Sequence, residues 1–525
     1  MKKYFHEKNP LVESELNITF EQVLRLSPEE VREWLAKLRD EARRIWDEYG
    51  CPPALTGKDE KEIIQSFKDI QGFKFLLNTK SSDTLLKDES DNTFSVIRNF
   101  NKGGAEVNQF FPTMLKTRIS RNTTGKGAIS IYDYLSQENL KEPFIKLFYR
   151  KIRKDGMHIF CTSIRESDKE SFGATNGYDW IKAYNQERSF PLKYGVLIYE
   201  KVTKNREEGF FELSANELIE LEKSGDLPEL ATVNLEKPYT DKTKDGLYRQ
   251  FMVKYYIRAE KVVEKSYMVF KLASGLQPAV NFPPTTAKFI YWHFTKDIPD
   301  EKVIVYDPSA GWGGRILGAM ATDYKRLHYV GTDPNSDNFI PELGITRYEY
   351  LADFFNKKVF CEKWSKFANT EHNTYEIFQD GSEVIGNNPA FQKYKGKIDF
   401  VFTSPPYFNR EQYNDEATQS WIKFTTFDSW VEGFLRPTLT TAVEYLKSNR
   451  YIALNIADIR IGEGKYLRLE KATRDIMIDL GMEYKGVLKM LLVSTYGLPI
   501  EKLENKCKIK GEWLKYEPVF YWWKP

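Results

Sequence analysis

Residues 398–407 read IDFVFTSPPY. The apolar run at 398–402 has the make-up of a buried strand. Pro405 and Pro406 end it, because a proline lacks an N–H donor and holds φ fixed. The chain must leave the sheet there in a rigid corner. That corner presents the Ser404 hydroxyl, the Pro405 carbonyl and the Tyr407 ring at the carboxyl end of a strand, where open α/β sheets bind ligands. The cluster suits attack by an exocyclic amine. The lone pair of a nucleobase amine is delocalised into its ring. Acceptors aimed at its N–H groups therefore favour the pyramidal, charged transition state over the flat ground state. Ser404 and the Pro405 carbonyl are such acceptors, and Tyr407 offers a face for a flipped base. Taken alone, the motif also reads as a strand followed by a proline-stiffened loop.

A second constellation precedes it. Residues 302–306 (KVIVY) read as a buried strand, followed by Asp307-Pro308-Ser309-Ala310-Gly311-Trp312-Gly313-Gly314-Arg315 and a helical run at 316–322. Strand, glycine-rich turn and helix form the nucleotide-binding arrangement. Gly311 and Gly313 let the backbone pass close to a ligand, and Asp307 can accept from a cationic amine. Beyond a strand at 328–332, Asp333 is placed to accept both hydroxyls of a ribose. A third strand, 375–379, ends in Asp380, which either accepts from an adenine amino group or caps a helix. Arg315 pairs either with a ligand carboxylate or with a neighbouring acid.

Residues 403–407 (TSPPY) resemble the catalytic motif of S-adenosylmethionine-dependent amino-methyltransferases acting on DNA. The serine-first form is similar to the N4-cytosine group, whereas adenine enzymes more often begin with Asp or Asn. The resemblance covers residues 280–525, and the order of glycine loop, ribose acid, adenine acid and SPPY corner looks like the unpermuted arrangement of that family. It implies a Rossmann-like, doubly wound α/β sheet of about seven strands in the C-terminal half. It implies S-adenosylmethionine as cofactor, with Asp307, Pro308, Gly311 and Gly313 at the methionine end, Asp333 and Asp380 on the adenosine, and Thr403 beside them. Ser404, Pro405, Pro406 and Tyr407 would then be catalytic, the substrate the N4 amine of cytosine in a specific DNA sequence, and no metal would be needed. The N6 amine of adenine and RNA stay open as alternatives, as does a nucleic-acid-binding protein with a vestigial cofactor fold. Two positions depart from the family: Ser309 stands where Phe is common, and Gly314-Arg315 replaces a small hydroxyl residue. Residues 282–287 (FPPTTA) resemble the segment that closes over the methionine end, and 408–413 (FNREQY) the segment beside the substrate.

These residues need a frame. The length of 525 residues suggests two to four domains. We expect a mainly helical region at 1–130, a mixed α/β region at 131–275 that could recognise the target, and the catalytic domain at 276–525. Residues 27–50 carry an amphipathic helical pattern opened by Ser27-Pro28, and 60–67 a second. Residues 80–93 and 237–246 read as polar loops, and 194–202 as a strand. The C-terminal half adds a helix over 427–446 containing Pro437, a fifth strand at 451–456, a helix over 466–480, and two last strands at 482–490 and 518–523. The stretches at 380–398 and after 523 are short, so base recognition is expected to fall to the N-terminal half.

With a net charge of only +2, any nucleic-acid surface must be a local patch. Two patches interleave basic and aromatic residues: Lys116, Arg118 and Arg121, then Arg150 and Lys151. Either patch also reads as a solvated face. The 4 cysteines are far apart and the 5 histidines scattered, which fits a reducing compartment and argues against a disulfide framework or a zinc site. No run is apolar enough for a bilayer, and a cytoplasmic location is expected. The oligomeric state is open.

Overall fold

Five short apolar segments of the C-terminal half pair as parallel strands in the computed structural model. The structure describes residues 28–49, 60–73, 75, 85–98, 109–119, 129–136, 157–165, 195–199, 239–243, 246–258, 279–359, 373–462, 465–492 and 505–525. In chain order the strands of the main sheet are β1 (Leu85–Asp88), β2 (Thr93–Ile97), β3 (Lys302–Asp307), β4 (Arg326–Thr332), β5 (Thr374–Phe378), β6 (Ile398–Thr403), β7 (Leu446–Asn455), β8 (Glu483–Leu491), β9 (Lys506–Ile509) and β10 (Glu512–Lys524). Their spatial order is β5-β4-β3-β6-β7-β10-β8-β2-β1, with β9 paired to β10. Strands β3 to β7 run parallel, and β10 lies antiparallel between β7 and β8. The fold is therefore a Rossmann-like, doubly wound α/β sheet. It has ten strands rather than about seven.

All six residues of β6 are buried, as a central strand covered on both faces requires. Phe400 and Phe402 face a layer containing the helices α3 (Pro284–Thr295), α4 (Gly314–Met320) and α5 (Arg347–Lys358). Ile398 and Val401 face a layer containing α6 (Arg436–Tyr445) and α7 (Leu469–Asp479). The one acid in β6, Asp399, accepts from the Ile304 N–H at 2.9 Å and from Lys447 Nζ at 2.6 Å, so its burial is compensated.

Contacts divide the chain into two units, one of residues 1–8, 46–134 and 277–525, the other of 9–45 and 135–276. Residues 46–134, grouped by sequence with the first region, thus cluster with the C-terminal half. Helix α2 (Glu60–Gln71) sets Phe67 on Phe355 with ring centroids 4.3 Å apart. At its carboxyl end the buried Lys288 donates to the carbonyls of Ile70 at 3.0 Å and Gln71 at 2.6 Å, a cation meeting the negative pole of the helix. Helix α1 spans Pro28–Tyr49. Residues 80–93, expected as loop, contain β1 and the start of β2. The hairpin reverses at Asn92, whose φ of +62° suits an asparagine.

In the second unit, strands Met157–Arg165, Gly195–Tyr199 and Tyr239–Thr243 all pair antiparallel with Gly246–Arg258. The expected loop at 237–246 thus holds a strand. In the first unit, the helix expected over 427–446 is interrupted. Phe427–Trp430 and Arg436–Tyr445 are α, while Val431–Leu435 winds wider just before Pro437. Proline removes a helical donor, so the α-segment restarts with Pro437 in its first turn. Among the described residues no helix is long and apolar enough to cross a membrane.

Candidate active site

Strand order reverses between β3 and β6, and a cleft opens at their carboxyl ends. It encloses about 590 Å³, including its mouth. One wall is the glycine loop, with Pro308, Ser309, Gly311 and Trp312; another is Asp333 and Pro334 after β4. Ser382 and Glu383 follow β5, Ser404 and Pro406 follow β6, and Tyr413 and Gln419 complete the lining.

The glycine loop is held from beneath. Asp307 is fully buried. Its Oδ1 accepts from the Ser309 N–H at 3.2 Å. Its Oδ2 accepts from Arg315 Nε at 2.7 Å and from the Tyr329 hydroxyl at 2.7 Å. Arg315 also donates to the Ser309 carbonyl. A buried ion pair therefore ties the residue before the loop to the residue after it. Removing one partner of such a pair typically costs about 3–5 kcal/mol. Of its two alternatives, Arg315 takes the neighbouring acid. Asp307 is engaged by the loop and does not line the cleft.

The two loop glycines differ in role. Gly311 has φ +63° and lines the cleft, and a Cβ there would meet nothing closer than 3.4 Å. Its bare backbone faces the ligand space. Gly313 has φ +81°, and a Cβ there would sit 2.3 Å from the Phe111 ring. That glycine serves packing and does not line the cleft. Pro308 lines the cleft, and its carbonyl accepts from the Thr332 hydroxyl at 2.6 Å.

Asp333 projects from the end of β4, with its N–H bonded to the Phe378 carbonyl at 3.1 Å. Its Oδ1 accepts from the Asn335 N–H at 2.9 Å, and its Oδ2 from Asn338 Nδ2 at 2.8 Å and from the Tyr348 hydroxyl. Burial pushes its pKa up to about 6, against the pull of these hydrogen bonds. A carboxylate has about four acceptor positions. Three are taken, so Asp333 has capacity for one ribose hydroxyl and not both. Asp380 accepts from the N–H of its own neighbour Gly381 at 2.9 Å and is not in the cleft wall. Glu383, which the sequence reading passed over, lines the cleft and is paired with Lys423 at 2.6 Å. The signal for it in the sequence is the Asp380-Gly381 pair, which marks a turn after the strand.

Thr403 is buried, and its Oγ1 accepts from the Ser309 N–H at 3.2 Å. It joins the corner to the glycine loop. Ser404 and Pro406 face the cleft, while Pro405 is buried behind them. The Tyr407 hydroxyl donates to Glu517 Oε1 at 3.0 Å and to the Asn455 carbonyl at 3.4 Å. The corner closes on Phe408 with φ +50°, a left-handed conformation that a bulky side chain adopts only when packing imposes it; Phe408 is buried. Tyr413 donates to Glu411 Oε2 at 2.6 Å. Burial pushes the carboxyls of both Glu411 and Glu517 above the ordinary range. Glu411 falls within the 408–413 segment but was given no role there, and Glu517 is 110 positions from Tyr407 in the chain.

Of the basic residues, Lys116 Nζ sits 2.6 Å from Asp337 Oδ1. Arg118 forks between Asp133 and Asp415, each at 2.7 Å. Both charges are therefore answered by carboxylates of this chain. Arg121, Arg150 and Lys151 lie outside the described residues.

No family model matches the chain, and no curated protein does. Solved structures do. A geranyl diphosphate methyltransferase in complex with SAM is 10% identical, with 46% of this chain and 85% of that one covered, at a TM-score of 0.25. A variant of the 16S rRNA (adenine(1408)-N(1))-methyltransferase from Catenulisporales acidiphilia is 13% identical, covering 47% of this chain and 93% of that one, with a TM-score of 0.25. A Thermus thermophilus protein, provisionally a DNA modification methylase, is 17% identical over 28% of this chain and 50% of its own, with a TM-score of 0.18. The fold assignment rests on strand order and register.

Proposed function

We propose that the protein transfers a methyl group from S-adenosylmethionine to an exocyclic nucleobase amine in DNA, the N4 of cytosine within a specific sequence. The observation that carries this reading is that Ser404 and Pro406 line the same cleft as Gly311 and Asp333. The Ser404 acceptor and the groups this reading assigns to the adenosine therefore share one space.

The cleft fits the cofactor in part. Gly311 lines the cleft with no side chain of its own, and Asp333 keeps one acceptor for a ribose hydroxyl. Ser382 and Glu383, which follow Asp380 in the chain and line the cleft, are the groups this reading assigns to the adenine end. When bound, S-adenosylmethionine supplies a methyl group already activated on a sulfonium. The protein's share is alignment and acceptors. The Ser404 hydroxyl accepts from the amine and favours its pyramidal form. An amine inside a duplex is out of reach of such a cleft, so the base must be flipped out to enter.

The test is mass spectrometry of nucleosides from cells expressing the protein, with a Ser404→Ala control. N4-methylcytosine in DNA, lost in the control, is the expected result. N6-methyladenine would keep the chemistry and change the base, and modified RNA alone would change the polymer. No modified nucleoside of any kind would overturn the proposal.

A further inference from the structure

A duplex whose base is flipped into the cleft must lie across the carboxyl edge of the sheet. This inference, which rests on the function proposed above, concerns what holds it there. Phosphates are bound by cations that the chain's own acids leave unmatched. Lys116 and Arg118 are matched.

The ribbon of β9 and β10 carries lysines that are not. Its ladder pairs Lys506 with Lys515 and Lys508 with Trp513. It reverses at Lys510 and Gly511, with φ of +50° and +81°, the left-handed pair that a tight hairpin turn requires. Residues directly opposite share a face of a ribbon, as do residues two apart on one strand. Lys506, Lys508, Trp513 and Lys515 therefore stand on one face. The other face holds the fully buried Cys507 and, further along β10, Tyr516, whose ring centroid is 5.7 Å from Nζ of the buried Lys489. The lysine face is thus the outward one. Lys506 is exposed, with Nζ 5.3 Å from the Trp513 ring centroid, and Lys508 and Lys515 are partly exposed.

Among the described residues, none of these three lysines is ion-paired with a carboxylate. The nearby acids are engaged or turned away. Glu89 accepts from the Gly511 N–H at 3.1 Å, and Asp88 and Asp91 are paired with Lys489. Glu512, opposite Ile509, belongs to the other face. Glu517 feels the charge of Lys515 through space, but its carboxylate is bonded by Tyr407 at 3.0 Å. Like charges directly opposite on a ladder repel, so Lys506 and Lys515 are held together at a cost that an anion between them would relieve.

The ribbon also stands in the right place. Asn455, the last residue of β7, pairs with Val519. Residues 512–518 therefore run past the carboxyl end of β7, the edge at which the cleft opens. Glu517 shares the face of Lys515 and Trp513, and it meets Tyr407, which follows the cleft residue Pro406. At the rise of an extended strand, Lys515 lies about 7 Å and Trp513 about 13 Å further out along β10.

We propose that the outward face of this ribbon binds the backbone of duplex DNA beside the flipped base, with Lys506, Lys508 and Lys515 on its phosphates. Such contacts fix the position of the duplex over the cleft and carry no sequence information of their own.

The triple variant Lys506→Gln/Lys508→Gln/Lys515→Gln removes the charges and keeps the chain length of the side chains close. The probe is a fluorescein-labelled duplex of mixed sequence, titrated by anisotropy over a series of KCl concentrations. At ~0.1 M KCl the variant should bind about 100-fold more weakly, and its plot of log affinity against log salt should be shallower by about 2.7, or about 0.9 per lysine. Calorimetric affinity for S-adenosylmethionine should be unchanged. The control Lys302→Gln/Lys397→Gln removes two exposed lysines just before or at the start of β3 and β6, on the opposite edge, and should bind the duplex as the wild type does. Should the triple variant fail to fold, each single change must still lower the slope by about 0.9. A wild-type slope and affinity in the folded variants would overturn the inference and leave the proposed function standing. So would an equal loss in the control, or a loss seen with a structured RNA and not with the duplex. A wild-type protein that neither binds nor methylates DNA would overturn the function beneath it.

Discussion

Two segments hold the same glycine loop from different sides, and only one of them carries groups to the cleft. The corner at 403–407 touches the loop through Thr403 and turns Ser404 and Pro406 toward the open space. The segment at 109–119 seats Phe111 under Gly313 and tilts it against Tyr348, with ring centroids 4.9 Å apart. Thr113 donates to Asn338 at 2.7 Å, and Asn338 donates to Asp333. Arg118 and Ile119 pair as a strand with Gln412 and Glu411, beside the cleft mouth. One segment supplies chemistry and the other supplies shape. The difference shows how little a run of charges says about its partners: the lysine and arginine of the second segment meet aspartates, although their spacing alone would equally suit phosphates.

Phe111→Ala is the strongest way to break this comparison. The ring is fully buried. Its loss should destabilise the protein by about 3–5 kcal/mol, because the cavity left under the loop collapses only in part. Denaturant unfolding followed by tryptophan fluorescence measures this. A variant as stable as the wild type would mean that the segment does not hold the loop.

The same pair explains what sequence could reveal. The corner was legible because two prolines leave few conformations, and a parallel strand covered on both faces must be apolar throughout. The order of β3 to β7 followed from punctuation by Asp307, Asp333 and the prolines. Asp333 was legible as an acceptor, but its remaining capacity was not, since Tyr348 and Asn338 reach it only through the fold. The pairing of Asp307 with Arg315 was illegible for the same reason: a carboxylate at that spacing looks alike whatever cation it meets. The hairpin of β1 and β2 was illegible. Its turn is polar, Phe94 is 62% exposed, and its anchor, Lys489 on Asp88, spans 401 positions. Segment 109–119 did carry a signal in Phe110-Phe111 and Met114-Leu115, all buried, but the flanking basic residues drew the reading toward phosphate.

Gly313→Ala tests the contact from the other side and should be intermediate in effect. The alanine must adopt φ +81° and displace a ring that stands 2.3 Å from its Cβ. Backbone strain and overpacking together should cost about 2–4 kcal/mol. In a Phe111→Ala background the clash is gone, so the same change should cost only about 1 kcal/mol. That non-additivity is the signature of direct contact. Additive losses would mean that the glycine is needed for a reason other than Phe111.

Ser404→Ala should have the smallest effect on stability and sharpens the contrast most. Ser404 is half-buried and lines the cleft, so little packing depends on it. A substitution of this kind should change the unfolding free energy by less than about 0.5 kcal/mol. Losing a preorganised acceptor should slow methyl transfer about 100-fold. The two measurements, on one preparation, ask whether the corner is made for reactants while the Phe111 segment is made for the fold. A Ser404→Ala protein that melts early yet retains its transfer rate would exchange those roles. The proline corner would then be a brace for the loop, and the acceptor for the amine would have to be sought among the other cleft residues, Glu383 first.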